Sequence, residues 1–166
     1  MMKSALSRAQ TLSAPNPFAL VCSVAPEGKT NLVAVSWWTY LANRPPMLGF
    51  ALSAGKYTSK LLAENPMFAL CLAGDQIKDA AFGCGAVSGA NCDKANKLRI
   101  ALVDLPGVPV QVPNACRAVL AGRVIEAHPV GDHIFHVAQI DSVFEDVTVA
   151  ALYAVVGYRR LATVMS

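Results

Sequence analysis

The sequence predicts a mainly β fold, an antiparallel barrel carrying a few short helices. Three observations lead there. About seven short apolar runs read as strands, most of them follow one another at hairpin spacing, and only two or three short helical patterns interrupt them. A doubly wound parallel sheet would instead alternate its strands with long helices.

The first run, Phe18 to Val24, is introduced by Pro15-Asn16-Pro17 and closed by Pro26-Glu27-Gly28-Lys29, which has good turn chemistry. Asn31 to Tyr40 follows at once, so the two runs read as a hairpin. Met47 to Leu52, after Arg44-Pro45-Pro46, is the next strand. Thr58 begins a short helix carrying Leu61 and Leu62, stopped by Asn65-Pro66. Met67 to Leu72 is another buried strand. Asp75 can cap a helix from Gln76 to Phe82, with Ile77, Ala80 and Ala81 on one face. A Gly-rich loop, Gly83 to Ala90, leads to a small helical patch around Cys92 to Leu98. Beyond a Pro-rich segment, Pro106 to Pro113, the chain turns strand-like again. Arg117 to Glu126 alternates in part, a turn spans Pro129 to Asp132, and His133 to Val143 is the next strand. The last apolar run is Leu152 to Tyr158.

With 166 residues and no polar linker or repeat, residues 1–166 read as one domain with a sizeable core. Hydrophobic residues make up 54% and charged residues 15%, with a mean hydropathy of +0.42. No apolar stretch approaches the roughly 20 residues of a membrane span, so the surplus hydrophobicity is expected to cover a subunit interface. The net charge of +3 is mild, and among Lys and Arg only Arg159-Arg160 are adjacent. That lacks the clustered basic face of a nucleic-acid binder, while a small anionic ligand would suit it. The N-terminal residues do not form a secretory signal. Five cysteines at irregular spacing, without a C-x-x-C, read as thiols of a reduced, cytoplasmic protein.

Two phosphate-loop lookalikes fail on context. Gly83-Cys84-Gly85-Ala86-Val87-Ser88 ends in Ser and follows a helix instead of a strand, and Gly55-Lys56-Tyr57-Thr58 lacks the upstream glycine of a Walker loop. Three segments keep a functional reading beside a plainer one. Ser53 to Lys60 lies between a strand and a helix start, where free N–H groups and the helix dipole favour a phosphate; alternatively Thr58 is a simple N-cap. Ser36-Trp37-Trp38-Thr39 offers flat apolar area beside hydroxyl donors, suited to a planar heteroaromatic ring, or else core and interface tryptophans. Gly131-Asp132-His133 places a histidine at a barrel rim, or else a solvated turn. His133 and His136 lie three apart on a strand and so face opposite sides, a poor chelate; no metal site is expected. No G-x-S-x-G elbow supports a hydrolase.

In order along the chain, these segments resemble the flavin reductase-like family, the FMN-binding split β-barrels, and its flavoredoxin branch above all. The resemblance runs through Asn16-Pro17, Asn31-x-x-x-x-Ser36-Trp37-Trp38-Thr39, Pro45-Pro46, Lys56-Tyr57-Thr58 and Glu64-Asn65. It continues through Phe68, Phe82-Gly83, Ser88-Gly89-x-x-x-Asp93-Lys94, Gly131-Asp132-His133 and Gly157-Tyr158. It implies a six-stranded antiparallel Greek-key barrel in a homodimer, with FMN held near the interface. Ser36, Trp37 and Thr39, with Val35 and Trp38 beside them, would line the ring. Ser53, Lys56, Tyr57 and Thr58 would hold the phosphate, helped by Ser88, Gly89 and Lys94. His133 would be the catalytic residue near the ring face, where NAD(P)H could approach. Ala90 and Ala138 depart from the Arg and Gly common in the family. The activity implied is an FMN-dependent oxidoreductase, passing electrons from NAD(P)H or a protein donor to free flavin, ferric iron or a redox protein. The alternative is an FMN-binding electron carrier or flavin store without NAD(P)H chemistry.

Overall fold

A computed structural model describes residues 2–163 of the chain. The chain enters through a short helix α1 (Ala9–Leu12) and a two-residue strand β1 (Asn16–Pro17). Strands β2 (Ala19–Val24) and β3 (Thr30–Val35) form one hairpin, β4 (Trp38–Asn43) and β5 (Pro46–Ser53) the next. Helix α2 (Tyr57–Glu64) leads to β6 (Met67–Ala73), then to α3 (Lys78–Ala86) and α4 (Lys94–Leu98). The short strands β7 (Leu102–Val103) and β8 (Val112–Pro113) pair with each other, and a long hairpin follows, β9 (Cys116–Val130) with β10 (His133–Glu145). Strands β11 (Leu152–Ala154) and β12 (Leu161–Thr163) join β1 in a small separate sheet.

The main sheet is antiparallel, in the order β3-β2-β6-β9-β10-β5-β4. Its two outermost strands, β3 and β4, are consecutive in the chain and separated only by Ser36 and Trp37. Val35 still pairs with Ala19 on β2, whereas Trp38 pairs with Phe50 on β5. Between them the Ala51 N–H donates to the Trp37 carbonyl oxygen at 2.9 Å. One bent strand therefore closes the sheet on itself, and the seven ladder strands make a barrel of six. The expected single strand from Asn31 to Tyr40 is thus corrected: it breaks at Ser36-Trp37 because the chain changes partners there. Closure removes both sheet edges.

Alternation explains why the strands look uniformly apolar. On β2, Ala19 and Val21 join Val33, Leu48, Phe50, Phe68, Leu70 and Leu120 in one buried cluster. Leu20 and Cys22 point to a second cluster with Ala69, Cys71, Ala81, Cys84 and Leu152. Both faces of β2 are covered, so no polar face is needed. Four of the five cysteines are buried free thiols, and Cys92 is half-buried.

Other expectations are revised. Asp75 does not cap a helix by its side chain; it starts a 3₁₀ turn, Asp75–Ile77, and α3 begins at Lys78. That helix runs on through Gly83 and Gly85 to Ala86, shortening the expected Gly-rich loop. The glycines let it pack closely, since a Cβ at Gly83 would stand 3.0 Å from Leu98 Cδ2. The run from Leu152 to Tyr158 is strand only as far as Ala154. Among the described residues, no helix is long and apolar enough to cross a membrane.

His136 sits in this core, 2% exposed and stacked on Phe50 at 4.9 Å and 10°, with Nδ1 unpartnered among the described residues. Burial pushes its pKa down, against smaller raising effects of the Phe50 and Ile134 backbone. The sign follows. The unfolded chain takes up a proton near the ordinary value of about 6.5 while the folded chain resists, so stability is full above that pH and falls as the medium is acidified. Urea unfolding midpoints at pH 7.5 and 5.5 are expected to differ less in His136→Phe, which keeps the stack and cannot titrate. An equal drop in both proteins would refute this.

Candidate functional site

Where the bent strand closes the barrel it leaves an open cavity of about 330 Å³. Its walls are Val35, Ser36 and Trp37 from the bend, Ala51, Leu52 and Ser53 from the end of β5, and His133 from the start of β10. Ser53 and His133 are directly paired across β5 and β10, which explains why residues 80 apart in sequence share one rim. Gly157 and Tyr158 from the loop between β11 and β12, Asn16 of β1 and Gln10 of α1 complete the wall. A second cavity of about 260 Å³ adjoins it and is lined by Asn31, Tyr57, Thr58, Ser88, Gly89 and Lys94 among others. Lys56 and Gly85 line both, so the two form one bipartite site.

The first cavity has flat and polar walls together. The Trp37 indole is 43% exposed and lies 4.9 Å from the His133 ring at 38°. His133 Nδ1 is 2.6 Å from Asp132 Oδ1, and Nε2 is 3.4 Å from Ser53 Oγ. The first contact holds the Asp132 carboxyl below its usual range and orients the imidazole. The turn beneath it is tight: Val130 pairs with His133 around Gly131, whose φ of 59° favours glycine. The Tyr158 hydroxyl is buried and makes no hydrogen bond among the described residues.

The second cavity gathers cationic and N–H groups. Lys94 is 4% exposed, and its Nζ donates to the carbonyl oxygens of Leu32 (2.7 Å) and Cys84 (2.8 Å). No carboxylate pairs with it among the described residues. Burial pushes its pKa down, and nearby Lys56 adds to that. The Cys84 thiol, raised to about 12 mainly by burial, remains neutral and does not balance the charge. A buried ammonium facing only neutral dipoles is costly, and an anion beside it relieves the cost. Helix α2 opens towards the same cavity with Lys56 at its N-cap, no side-chain cap and no acid in its first turn. Its first N–H groups, led by Tyr57 and Thr58, have no intrahelical partner.

Thr58 is not the N-cap but the second helical residue. It is 2% exposed, and its Oγ1 accepts from Asn31 Nδ2 at 2.9 Å, which leaves the hydroxyl proton free to donate elsewhere. Asn31 Nδ2 also lies 3.2 Å from Ser23 Oγ, while Asn31 Oδ1 is buried against Gly89 without a partner among the described residues. Any side chain at Gly89 would collide with that oxygen, so the loop approaches this closely only as glycine.

Of the residues singled out from sequence, Val35, Ser36, Trp37, Ser53, Lys56 and His133 meet at the first cavity. Lys56, Tyr57, Thr58, Ser88, Gly89 and Lys94 meet at the second. Trp38 and Thr39 line neither within this chain. The Trp38 indole turns to the core and donates to the Pro17 carbonyl oxygen at 3.1 Å, and Thr39 is exposed, its hydroxyl donating to the Tyr40 carbonyl oxygen. The bend at Ser36-Trp37 carries them past the mouth. Asn31, Gly85, Tyr158, Gln10 and Asn16 were given no role from sequence. Asn31 carried a signal, an amide in an apolar strand, but Gln10 carried none.

The arrangement accepts a planar aromatic group in the first cavity, an anion in the second and a polar chain past Lys56 and Gly85. A flavin mononucleotide has those three parts in that order, and the buried Lys94, which lines the second cavity, is a group such a ligand would satisfy. The residues fit the group.

Comparison with known proteins gives the family and the fold. Residues 11–162 match the family model described as Flavin reductase like domain. An uncharacterized protein of Archaeoglobus fulgidus is 30% identical over 112 residues, covering 68% of this chain; the chain spans 63% of the length of that relative. Among solved structures, a flavoredoxin from Methanosarcina acetivorans superposes with a TM-score of 0.85 at 22% identity, over 100% of this chain and 92% of that one. An FMN-binding protein from Thermus thermophilus, solved with bound 1-cyclohex-2-enone, gives 0.82 at 22% identity, over 98% and 93%. An NADH:FAD oxidoreductase from Streptomyces globisporus gives 0.83 at 13% identity, over 97% and 92%. At these identities the structural likeness is one of fold.

Proposed function

The chain belongs to the flavin reductase-like domain family, a family of flavin-related oxidoreductases, and on that footing we propose that it binds FMN and passes electrons from NAD(P)H to an acceptor. The acceptor is free flavin, ferric iron or a redox protein. The observation that carries this reading is the bipartite site: an aromatic, hydroxyl-edged cavity joined through Lys56 and Gly85 to a cationic one.

The bound flavin supplies the hydride and electron chemistry, so the protein needs only to bind, orient and shield it. Trp37 and Val35 offer apolar walls to the ring, and Ser36 and Ser53 bring hydroxyls to the same cavity. Lys56, Lys94, the Thr58 hydroxyl and the α2 start hold a terminal phosphate dianion. His133, held by Asp132 and packed on Trp37, forms the open rim where a nicotinamide would enter. Positioning a donor there makes hydride transfer effectively unimolecular.

A homodimer belongs to the same reading. The exposed Tyr40, Leu41 and Val143 lie on β4 and β10, and a groove of about 460 Å³ runs between these strands. A second copy would cover this apolar face and close the mouth beside Trp37. The five free thiols suit the cytoplasm.

The test is anaerobic mixing of FMN-loaded protein with NADH and, separately, NADPH. The flavin absorbance is expected to bleach with at least one. His133→Ala is expected to slow bleaching about tenfold or more, as for loss of a positioning contact, while FMN affinity holds. Bleaching by dithionite but by neither nicotinamide would instead mark an electron carrier. Sedimentation of the same sample is expected to give twice the 17.5 kDa chain mass; a monomer would contradict the dimer.

A further inference from the structure

The charge of this chain is unevenly placed. Residues 1–26 and 147–166 hold Lys3, Arg8, Arg159 and Arg160 and no Asp or Glu, whereas residues 27–146 hold ten basic and eleven acidic residues. The whole excess of +3 therefore belongs to the two chain ends. The fold then brings those ends together at one wall of the first cavity. Strand β1 pairs with β11, and a Cβ on Gly157 would stand 3.5 Å from Thr11 Oγ1. Gln10, Asn16, Gly157 and Tyr158 of these segments line the cavity itself. Arg159 and Arg160 follow directly in the same turn. The Arg159 N–H donates to the Val156 carbonyl oxygen at 3.1 Å, and the Val155 N–H to that of Arg160 at 3.0 Å. The Tyr158 ring, packed on Phe18 and Phe82, pins this turn to the barrel. Arg8 has helical backbone and precedes Thr11 by one turn, so it shares the side turned to Gly157. All three arginines are exposed, and none is ion-paired among the described residues. The opposite rim has the other sign, for the Asp132 side chain beside His133 is 94% exposed.

The geometry points to Arg8, Arg159 and Arg160 as the seat for the phosphates of the nicotinamide donor, which makes NADPH the preferred donor over NADH. This rests on the flavin reading above and names the donor for the same site. The flavin's own phosphate is met in the second cavity by Lys56, Lys94 and Thr58, so the arginines have no share in it. A nicotinamide seated beside His133 and Trp37 must send its pyrophosphate and adenosine out over one rim. Asp132 repels that tail, and the chain-end wall attracts it. NADPH carries one phosphate more than NADH, about two further negative charges at neutral pH. Arginines with no acid to satisfy them favour the more charged nucleotide, and each planar fork can meet two phosphate oxygens at once. The effect is on donor binding; the hydride step is left to the flavin.

FMN-loaded protein is mixed anaerobically with rising NADH or NADPH, and flavin bleaching gives a half-saturating concentration and a limiting rate for each. In the unaltered protein NADPH is expected to half-saturate at a concentration about tenfold lower than NADH. Changing Arg159 and Arg160 together to glutamine is expected to raise the NADPH value about tenfold and the NADH value less than about threefold. Both limiting rates are expected to hold. Arg159→Lys with Arg160→Lys keeps the charge and is expected to keep most of the preference. Lys78→Gln, exposed on α3 and outside both cavity walls, is expected to change neither nucleotide. FMN affinity and melting temperature report whether each variant is folded. Salt reads the same charge without any substitution and is expected to weaken NADPH more than NADH. Equal half-saturation by the two nucleotides in the unaltered protein would overturn the assignment. So would an equal shift for both in the glutamine variant, or an unchanged NADPH value. A loss confined to reduction of an acidic ferredoxin, with both nucleotides unchanged, would give this face to a docking protein and overturn it too. Bleaching by neither nucleotide, in protein that dithionite still bleaches, would remove the NAD(P)H donor and this assignment with it. Failure to bind FMN at all would end the flavin reading itself.

Discussion

Changing Lys56 and Thr58 together to alanine is expected to weaken FMN binding at least about a hundredfold while riboflavin binding falls less than about tenfold. Hydrogen bonds to charged groups contribute about 1.5–3 kcal/mol each, and two of them aimed at a phosphate give roughly two orders of magnitude or more. Thr58 is suited to the task because Asn31 Nδ2 already occupies an acceptor position on its oxygen, leaving the proton for the ligand. Among the described residues Lys56 is anchored only at 3.4 Å to the Gly85 carbonyl, which lets it swing towards an anion. Riboflavin lacks the phosphate, so it reports any general damage to the pocket. Fluorescence titrations at low and high salt measure both ligands, and the FMN advantage should shrink with salt in the native protein. Equal losses for FMN and riboflavin would show that the second cavity does not receive the phosphate.

The largest expected loss of stability is at Gly122. This strand residue pairs with Ile140 beside the bulge at Asp141, where the β9–β10 ladder shifts register. A Cβ there would collide with the Gln139 backbone carbonyl oxygen, an atom fixed by the ladder itself. Glycine within a strand at a bulge marks such a close backbone approach. Gly122→Ala must therefore push β9 from β10 in the middle of the barrel, with β6 and β5 on either side. The expected cost is roughly 3 kcal/mol or more, read as a lowered urea midpoint. Gly55→Ala is the control, since a Cβ at Gly55 meets nothing within 4 Å, and its midpoint is expected to hold. A tolerated Gly122→Ala would mean that the hairpin register is not as described.

Much of this fold is legible in the residues because strands and turns are local. The hairpin signal at Pro26 to Lys29 and the turn at Gly131-Asp132 each locate a real reversal. Barrel closure is not local. Nothing near Ser36-Trp37 says that Val35 will pair with Ala19 and Trp38 with Phe50, and that handover opens the ring cavity and turns Trp38 and Thr39 away from it. Helix α3 outran its expected end because Gly83 and Gly85, weak helix formers alone, face Leu98 and Tyr158, where only small residues fit. Lys56 and Thr58 could be read from a strand–loop–helix pattern. Gln10 reaches the site from α1 by packing alone and could not, and Tyr158 was legible only as part of the resemblance, with no role attached.

The most direct measurement is a crystal structure of the protein grown with FMN. The account predicts the ring against Trp37 and Val35 in the cavity at the barrel bend, with the phosphate within hydrogen-bond distance of Lys56 and Thr58. FMN found elsewhere on the chain, or lying in the same cavity with its phosphate turned out to solvent, would contradict it.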